Sequence, residues 1–209
     1  MTFTIDDAQT VRGGDDSEPL VLLLHGYGSN EQDLPSLVPH LPPGLAHASV
    51  RAPIEMAAGA YAWVPIGVPG RPDPAVVADS TRALLTWLDG HVAPGRVVVP
   101  LGFSQGGLMV TQLLRARPDR FAAALVLSGF VLDQPAAGDE ALVASRVPVF
   151  FAHGDADPVI PADATHRASG WLAEHTDVTD RAYAGLAHGI SAEELADVHS
   201  FVTSHLGRD

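Results

Sequence analysis

Cysteine and lysine are both missing from this 209-residue chain. Without cysteine there is no disulfide, no thiolate zinc site and no cysteine nucleophile. Without lysine, all 12 basic side chains are arginine; they face 25 acidic ones, and the formal net charge is −13. A surface that acidic repels nucleic acid and anionic membranes, so neither is expected as a partner. Two explanations fit the missing lysine: a GC-rich coding bias, which also favours the abundant Ala, Gly, Pro and Asp, or adaptation to high salt. Long apolar runs are lacking as well, and none approaches the ~18 residues of a membrane span. The first seven residues have neither the basic start nor the apolar stretch of a signal peptide. A cytoplasmic protein without stable membrane insertion is therefore expected. The length suits one α/β domain over residues 1–209, with little left for a second.

What the chain does have is a series of short apolar runs, at residues 20–24, 48–50, 97–99, 124–127 and 147–151. Several are continuously apolar, as in parallel strands buried on both faces. Residues 178–183 form a further possible strand. Helical segments lie between them. Asp73-Pro74 reads as an N-cap with proline in the first turn of a helix running towards Trp87 and Leu88. Asp33 is expected to cap another, with Pro35 in its first turn, and Ser191-Ala192-Glu193-Glu194 fits a capping box. Residues 53–74, rich in Ala, Gly and Pro, read as a long surface loop. Alternating strand and helix predicts a mostly parallel, doubly wound sheet flanked by helices, with ligands met at the carboxyl ends of the strands.

One such end carries Gly102-Phe103-Ser104-Gln105-Gly106, between the run at 97–101 and a helix-period segment from Gly107. Strand, G-x-S-x-G turn, helix is the context of a nucleophile elbow. The turn is so tight that side chains two before and two after the serine would collide, and the serine is expected in a strained conformation. The competing reading is a serine that only caps a helix.

Three further motifs fall at strand ends. The turn His25-Gly26-Tyr27-Gly28-Ser29 could supply one backbone N–H of an oxyanion hole, at Tyr27, beside the N–H of Gln105. His25 itself reads as a shaper of that turn. The segment from His153 to Pro161 offers two aspartates to orient a catalytic imidazole. Asp157, before proline, points into the loop, whereas Asp155 suits a turn-forming role. His153 with these two aspartates is also a weaker candidate for a cation site. Finally, Gly185-Leu186-Ala187-His188-Gly189 places a histidine on a loop, where a general base can reach the serine. The order Ser104, Asp157, His188 is that of α/β-hydrolases.

Taken together, residues 24–28, Gly102-Phe103-Ser104-Gln105-Gly106-Gly107, Leu127-Ser128-Gly129, residues 153–161 and Gly185-Leu186-Ala187-His188 resemble the phospholipase/carboxylesterase family, which includes bacterial carboxylesterases and acyl-protein thioesterases. The resemblance runs over about residues 19–206. It implies an α/β-hydrolase fold without a large cap domain and a cofactor-free serine hydrolase. It also implies Ser104 as nucleophile, Asp157 as orienter, His188 as base, and Tyr27 and Gln105 amides as the oxyanion hole. No metal is implied, and a homodimer is compatible with the family. Trp63 sits where many members carry a W-[FY]-D segment beside the acyl site; here the text is Trp63-Val64-Pro65.

The expected reaction is acyl transfer through an ester on Ser104, with a small-molecule carboxylic ester as substrate. Ile54, Met56, Tyr61, Trp63 and Ile66, with Phe130-Val131-Leu132 and Leu186, could make an apolar acyl pocket, with Trp63, Phe130 and Leu186 foremost; the alternative is ordinary packing of the long loop on the sheet edge. Short-chain esterase is the first reading. Acyl thioesterase or lysophospholipase on longer chains is the second, and a catalytically silent binding protein the alternative from another class.

Overall fold

The structure, a computed structural model, describes residues 2–65 and 71–207. Ile66, expected as a pocket wall, lies outside the described residues.

Seven strands form one sheet: β1 (Val11–Gly13), β2 (Leu20–Leu24), β3 (Ala46–Val50), β6 (Val98–Phe103), β7 (Ala124–Leu127), β8 (Pro148–Gly154) and β9 (Asp177–Tyr183). Two more, β4 (Ile54–Ala57) and β5 (Ala60–Ala62), make a separate hairpin. The sheet order is β1-β3-β2-β6-β7-β8-β9, parallel throughout except for the antiparallel edge pair β1–β3. From β2 the chain steps one way to β3 and later the other way, from β6 to β9. The crevice between the carboxyl ends of β2 and β6 is thus the topological switch point, where doubly wound sheets bind ligands.

The strands are apolar on both faces because helices cover both. Leu20, Leu22 and Leu24 pack with Leu84, Trp87 and Leu88 of α1 (Pro74–His91) and with Met109 and Leu113 of α2 (Gln105–Ala116). Ala168 and Leu172 of α4 (Ala162–His175) join the same cluster, as does Leu142 of the short α3 (Asp139–Ser145). Val21 and Leu23 face the other way, to Val198, Phe201 and Val202 of α5 (Ala192–Leu206). The alternation along one five-residue strand thus feeds two cores.

Two expected caps form. The Asp73 carboxylate accepts from Ala75 N at 2.9 Å, and Ser191 with Glu194 makes a reciprocal capping box. Asp33 is a correction: it makes no cap, its carboxylate accepting instead from Ser29 Oγ at 2.7 Å. The segment it precedes, Leu34–His40, is a 3₁₀ helix, and Pro39 inside it lacks the N–H that a regular ladder needs.

The reading of residues 53–74 as a loop also changes. The hairpin occupies 54–62, turning at Gly59 with φ +76°, and Ala62, Trp63 and Val64 behind it are buried. The edge strand Val11–Gly13 was not expected either; it is short and half-exposed.

Candidate active site

Ser104 stands between β6 and α2 with φ 54° and ψ −115°, a left-handed conformation that costs a non-glycine residue on the order of 1–3 kcal/mol. The turn around it holds that conformation. A Cβ on Gly102 would lie 2.2 Å from Gly106 O, so the expected collision across the elbow is real. On Gly106, a Cβ would instead strike Leu24 O at 1.8 Å. The second glycine therefore serves the close approach of the elbow to β2. Ser104 N–H donates to Leu127 O at 2.9 Å, tying the elbow to β7 on its other side.

The sequence neighbours of the serine do not supply a base; residues far along the chain do. His188 Nε2 lies 3.0 Å from Ser104 Oγ, and His188 Nδ1 lies 2.7 Å from Asp157 Oδ2. The Phe103 ring supports the imidazole, with centroids 4.9 Å apart. Asp157 Oδ1 accepts from Val159 N at 2.7 Å and Ile160 N at 3.0 Å. Burial pushes this carboxyl up, but the hydrogen bonds from His188 and from the Ile160 and Val159 amides outweigh burial and hold it below the usual range. Asp157 is thus kept as an acceptor, and its bond to Nδ1 fixes the tautomer that leaves Nε2 free to accept the serine proton.

Asp155 accepts from a backbone amide, but in another loop rather than in its own turn. Its Oδ1 accepts from Gly185 N at 2.6 Å, and Ala156 N donates to Leu186 O at 3.1 Å, joining the aspartate loop to the histidine loop. His153 turns elsewhere, its Nε2 lying 3.4 Å from Asp180 Oδ1. The cation-site alternative is therefore a correction: His153, Asp155 and Asp157 diverge to three partners. Among the described residues no group of three His, Cys, Asp or Glu could hold a metal ion.

The turn at 25–29 lies across the crevice at the end of β2. His25 is fully buried and shapes the turn: its Nδ1 bonds Gly26 O at 2.8 Å and its Nε2 accepts from Ala52 N at 3.1 Å. Burial holds its pKa down, and the two bonds together require the neutral ring. Gly28 N–H is committed to Tyr61 O at 2.8 Å, as Ser104 N–H is to Leu127 O; Tyr27 and Gln105 stay the expected donors at the two lips.

Two of the expected acyl-contact residues, Trp63 and Phe130, are packed inside the protein. Trp63 is fully buried, its indole N–H donating to His25 O at 2.9 Å, so it braces the turn from behind rather than facing a ligand. Phe130 is buried in a small cluster with Val64, Val77, Leu108 and Ile160. Leu186 stays half-buried against the second core. Sequence reasoning missed the side chain of Gln105, whose amide bonds the backbone of residues 63–64. A polar residue with no explained side chain in an otherwise glycine and apolar elbow was the only available signal.

A model of the phospholipase/carboxylesterase family matches residues 5–206. The chain belongs to that family. It is a family of ester hydrolases, and the fold here agrees with it. Acyl-protein thioesterase 1 of Kluyveromyces lactis is 25% identical over 214 residues, covering 90% of this chain and 92% of that protein. The NocK protein of Nocardia uniformis subsp. tsuyamanensis is 32% identical over 160 residues, 71% of this chain but 42% of that protein, so the match spans less than half of it. Among solved structures, a Bacillus cereus carboxylesterase superposes with a TM-score of 0.79 at 22% identity, covering 94% of this chain and 93% of that one, which establishes a shared fold. Among the described residues no helix is long and apolar enough to cross a membrane.

Proposed function

We propose that this family member is a cofactor-free serine carboxylesterase acting on short-chain carboxylic esters. The observation that carries the reading is the unbroken relay from Ser104 Oγ through His188 to Asp157, at 3.0 and 2.7 Å. Ser104 Oγ attacks the ester carbonyl while His188 Nε2 takes its proton. The negative charge that develops on the carbonyl oxygen is held by the N–H groups of Tyr27 and Gln105. Collapse breaks the C–O bond, and His188 returns the proton to the departing alkoxide. Water, deprotonated by His188, then attacks the acyl-enzyme and frees the acid and Ser104.

The short-chain preference is supported by the burial of Trp63 and Phe130, which a long acyl chain would need as open walls. A second reading, hydrolysis of longer acyl thioesters, is favoured by the likeness to the Kluyveromyces lactis thioesterase over most of the chain. One experiment separates them: kcat/KM for p-nitrophenyl esters from acetate to palmitate, alongside an acyl thioester. Rates highest from acetate to hexanoate are expected. A climb through laurate, at up to ~0.8 kcal/mol per buried methylene, would replace the first reading with the second. Ser104→Ala should abolish all of these activities and labelling by a fluorophosphonate; retained turnover in the variant would sink the nucleophile assignment.

A further inference from the structure

The two N–H groups assigned above to the oxyanion come from different ends of the crevice, one after β2 and one after β6. Their separation must be held to within a few tenths of an ångström for both to meet one oxygen. The β2–β6 pairing fixes the two chains as far as Leu24 and Gly102 but stops short of both donors. A third segment ties the turns beyond that point, and its anchor is the side chain of Gln105.

Gln105 Oε1 accepts from Trp63 N at 2.8 Å and Val64 N at 3.2 Å, while its Nε2 donates to Val64 O at 2.7 Å. Gln105 is 5% exposed, and the orientation of its amide is set by these partners: two donors face its oxygen and one acceptor faces its nitrogen. Residues 63 and 64 continue β5, and β5 is zipped to the other turn. Tyr61 O accepts from Gly28 N and Tyr61 N donates to Ser29 O, both at 2.8 Å. Trp63 Nε1 donates to His25 O at 2.9 Å. Both flanks of Tyr27, at His25 and Gly28, are therefore bonded to residues 61–63. From α1, Ser80 Oγ fixes Trp63 O at 2.5 Å.

We infer that the Gln105 side chain is a positioning residue: through the strap of residues 61–64 it sets the spacing between its own N–H and that of Tyr27. The inference rests on the serine-esterase reading. One residue thus serves the transition state twice, with its backbone as donor and with its side chain as the tie to the other donor. Trp63 and Val64 are buried, so the backbone groups that meet the Gln105 amide have no water to turn to. A carboxylate of the same shape cannot replace the amide, since it would set an acceptor against Val64 O.

The test compares Gln105→Glu and Gln105→Met with the parent chain, using p-nitrophenyl acetate and a phenylboronic acid. Bound to the serine, the boronic acid mimics the tetrahedral oxyanion. A loss of oxyanion alignment should lower kcat about 10- to 100-fold with KM changed less than about threefold, and should weaken boronic acid binding in parallel with kcat/KM. Trp63→Phe, which removes the bond to His25 O along with part of a buried ring, should give the same pattern at smaller size; read on the folded protein, its kcat and boronic acid binding decide the matter if the Gln105 variants do not fold. Folded variants with kcat within about twofold of the parent overturn the inference. So does a fall in kcat without weaker boronic acid binding, the mark of a merely structural effect. If Ser104→Ala remained active, the esterase reading itself would fall, an outcome that the Gln105 variants do not produce.

Discussion

Asp155 Oδ1 accepts a hydrogen bond from Gly185 N at 2.6 Å, across 30 residues of sequence and three residues before His188. The two aspartates of one loop therefore act on the histidine loop by different routes. Asp157 bonds the imidazole, and Asp155 holds the backbone that carries it. Asp157→Asn should lower kcat by up to about 10⁴, because an amide favours the wrong imidazole tautomer, with KM little changed. Asp155→Asn should cost about 1–2 kcal/mol of stability and only a modest part of kcat. Steady-state kinetics and a thermal melt on each variant decide it, and the reverse pattern would exchange the two assignments.

Metal removal should leave the rate untouched. The side chains that might have ligated an ion are committed to Gly185, His188 and Asp180. Treatment with EDTA followed by gel filtration is the measurement, and a loss restored by zinc or calcium would contradict it.

Stability should depend on pH through Glu194. This residue is fully buried, its Oε2 accepting from Ser191 N at 3.3 Å while Oε1 has no hydrogen-bond partner among the described residues. Burial pushes its pKa up from 4.5 to about 7, against the opposing Ser191 bond and the nearby His153. Between those two values the folded chain keeps a proton that the unfolded chain releases. Stability therefore falls with rising pH across that window, by up to roughly 1.4 kcal/mol per pH unit, and is unaffected by this group below it. Glu194→Gln keeps the acceptor for Ser191 and loses the titration. In urea melts the variant should gain on the parent between pH 5 and pH 8; an equal difference at both would show that Glu194 does not titrate there.

Two glycine-to-alanine changes should act in opposite directions. At Gly106 the new methyl group would meet the Leu24 carbonyl at 1.8 Å, and neither backbone has room to retreat. We expect a loss of about 3 kcal/mol or more, together with activity. At Gly170, on the exposed side of α4, a Cβ meets nothing within 4 Å. There the alanine should stabilise by about 0.5–1 kcal/mol through helix propensity, with kcat unchanged. Paired thermal melts check both.

The sequence by itself determined what depends on neighbours along the chain. Strands such as Ala124–Leu127, the caps at Asp73 and Ser191, and the elbow around Ser104 are set within a few residues, by apolar runs, side-chain acceptors and glycine. Chain order and motif also singled out His188 and Asp157, which the fold brings within hydrogen-bonding distance of one another, with His188 also reaching Ser104. Tertiary structure alone decided the relations that span the chain. Trp63 turned inward because a buried indole N–H needs an acceptor, and His25 O, 38 residues away, provides it. Asp33 makes no cap because its backbone is helical, φ −73° and ψ −64°, where a capping residue is extended, and its carboxylate meets Ser29 Oγ instead. The Gln105 side chain found its partners in a segment about 41 residues earlier, which the sequence marks only as Ala- and Gly-rich. Hydrogen bonds of this kind leave no periodicity, since their geometry is set by how the sheet brings its loops to one end.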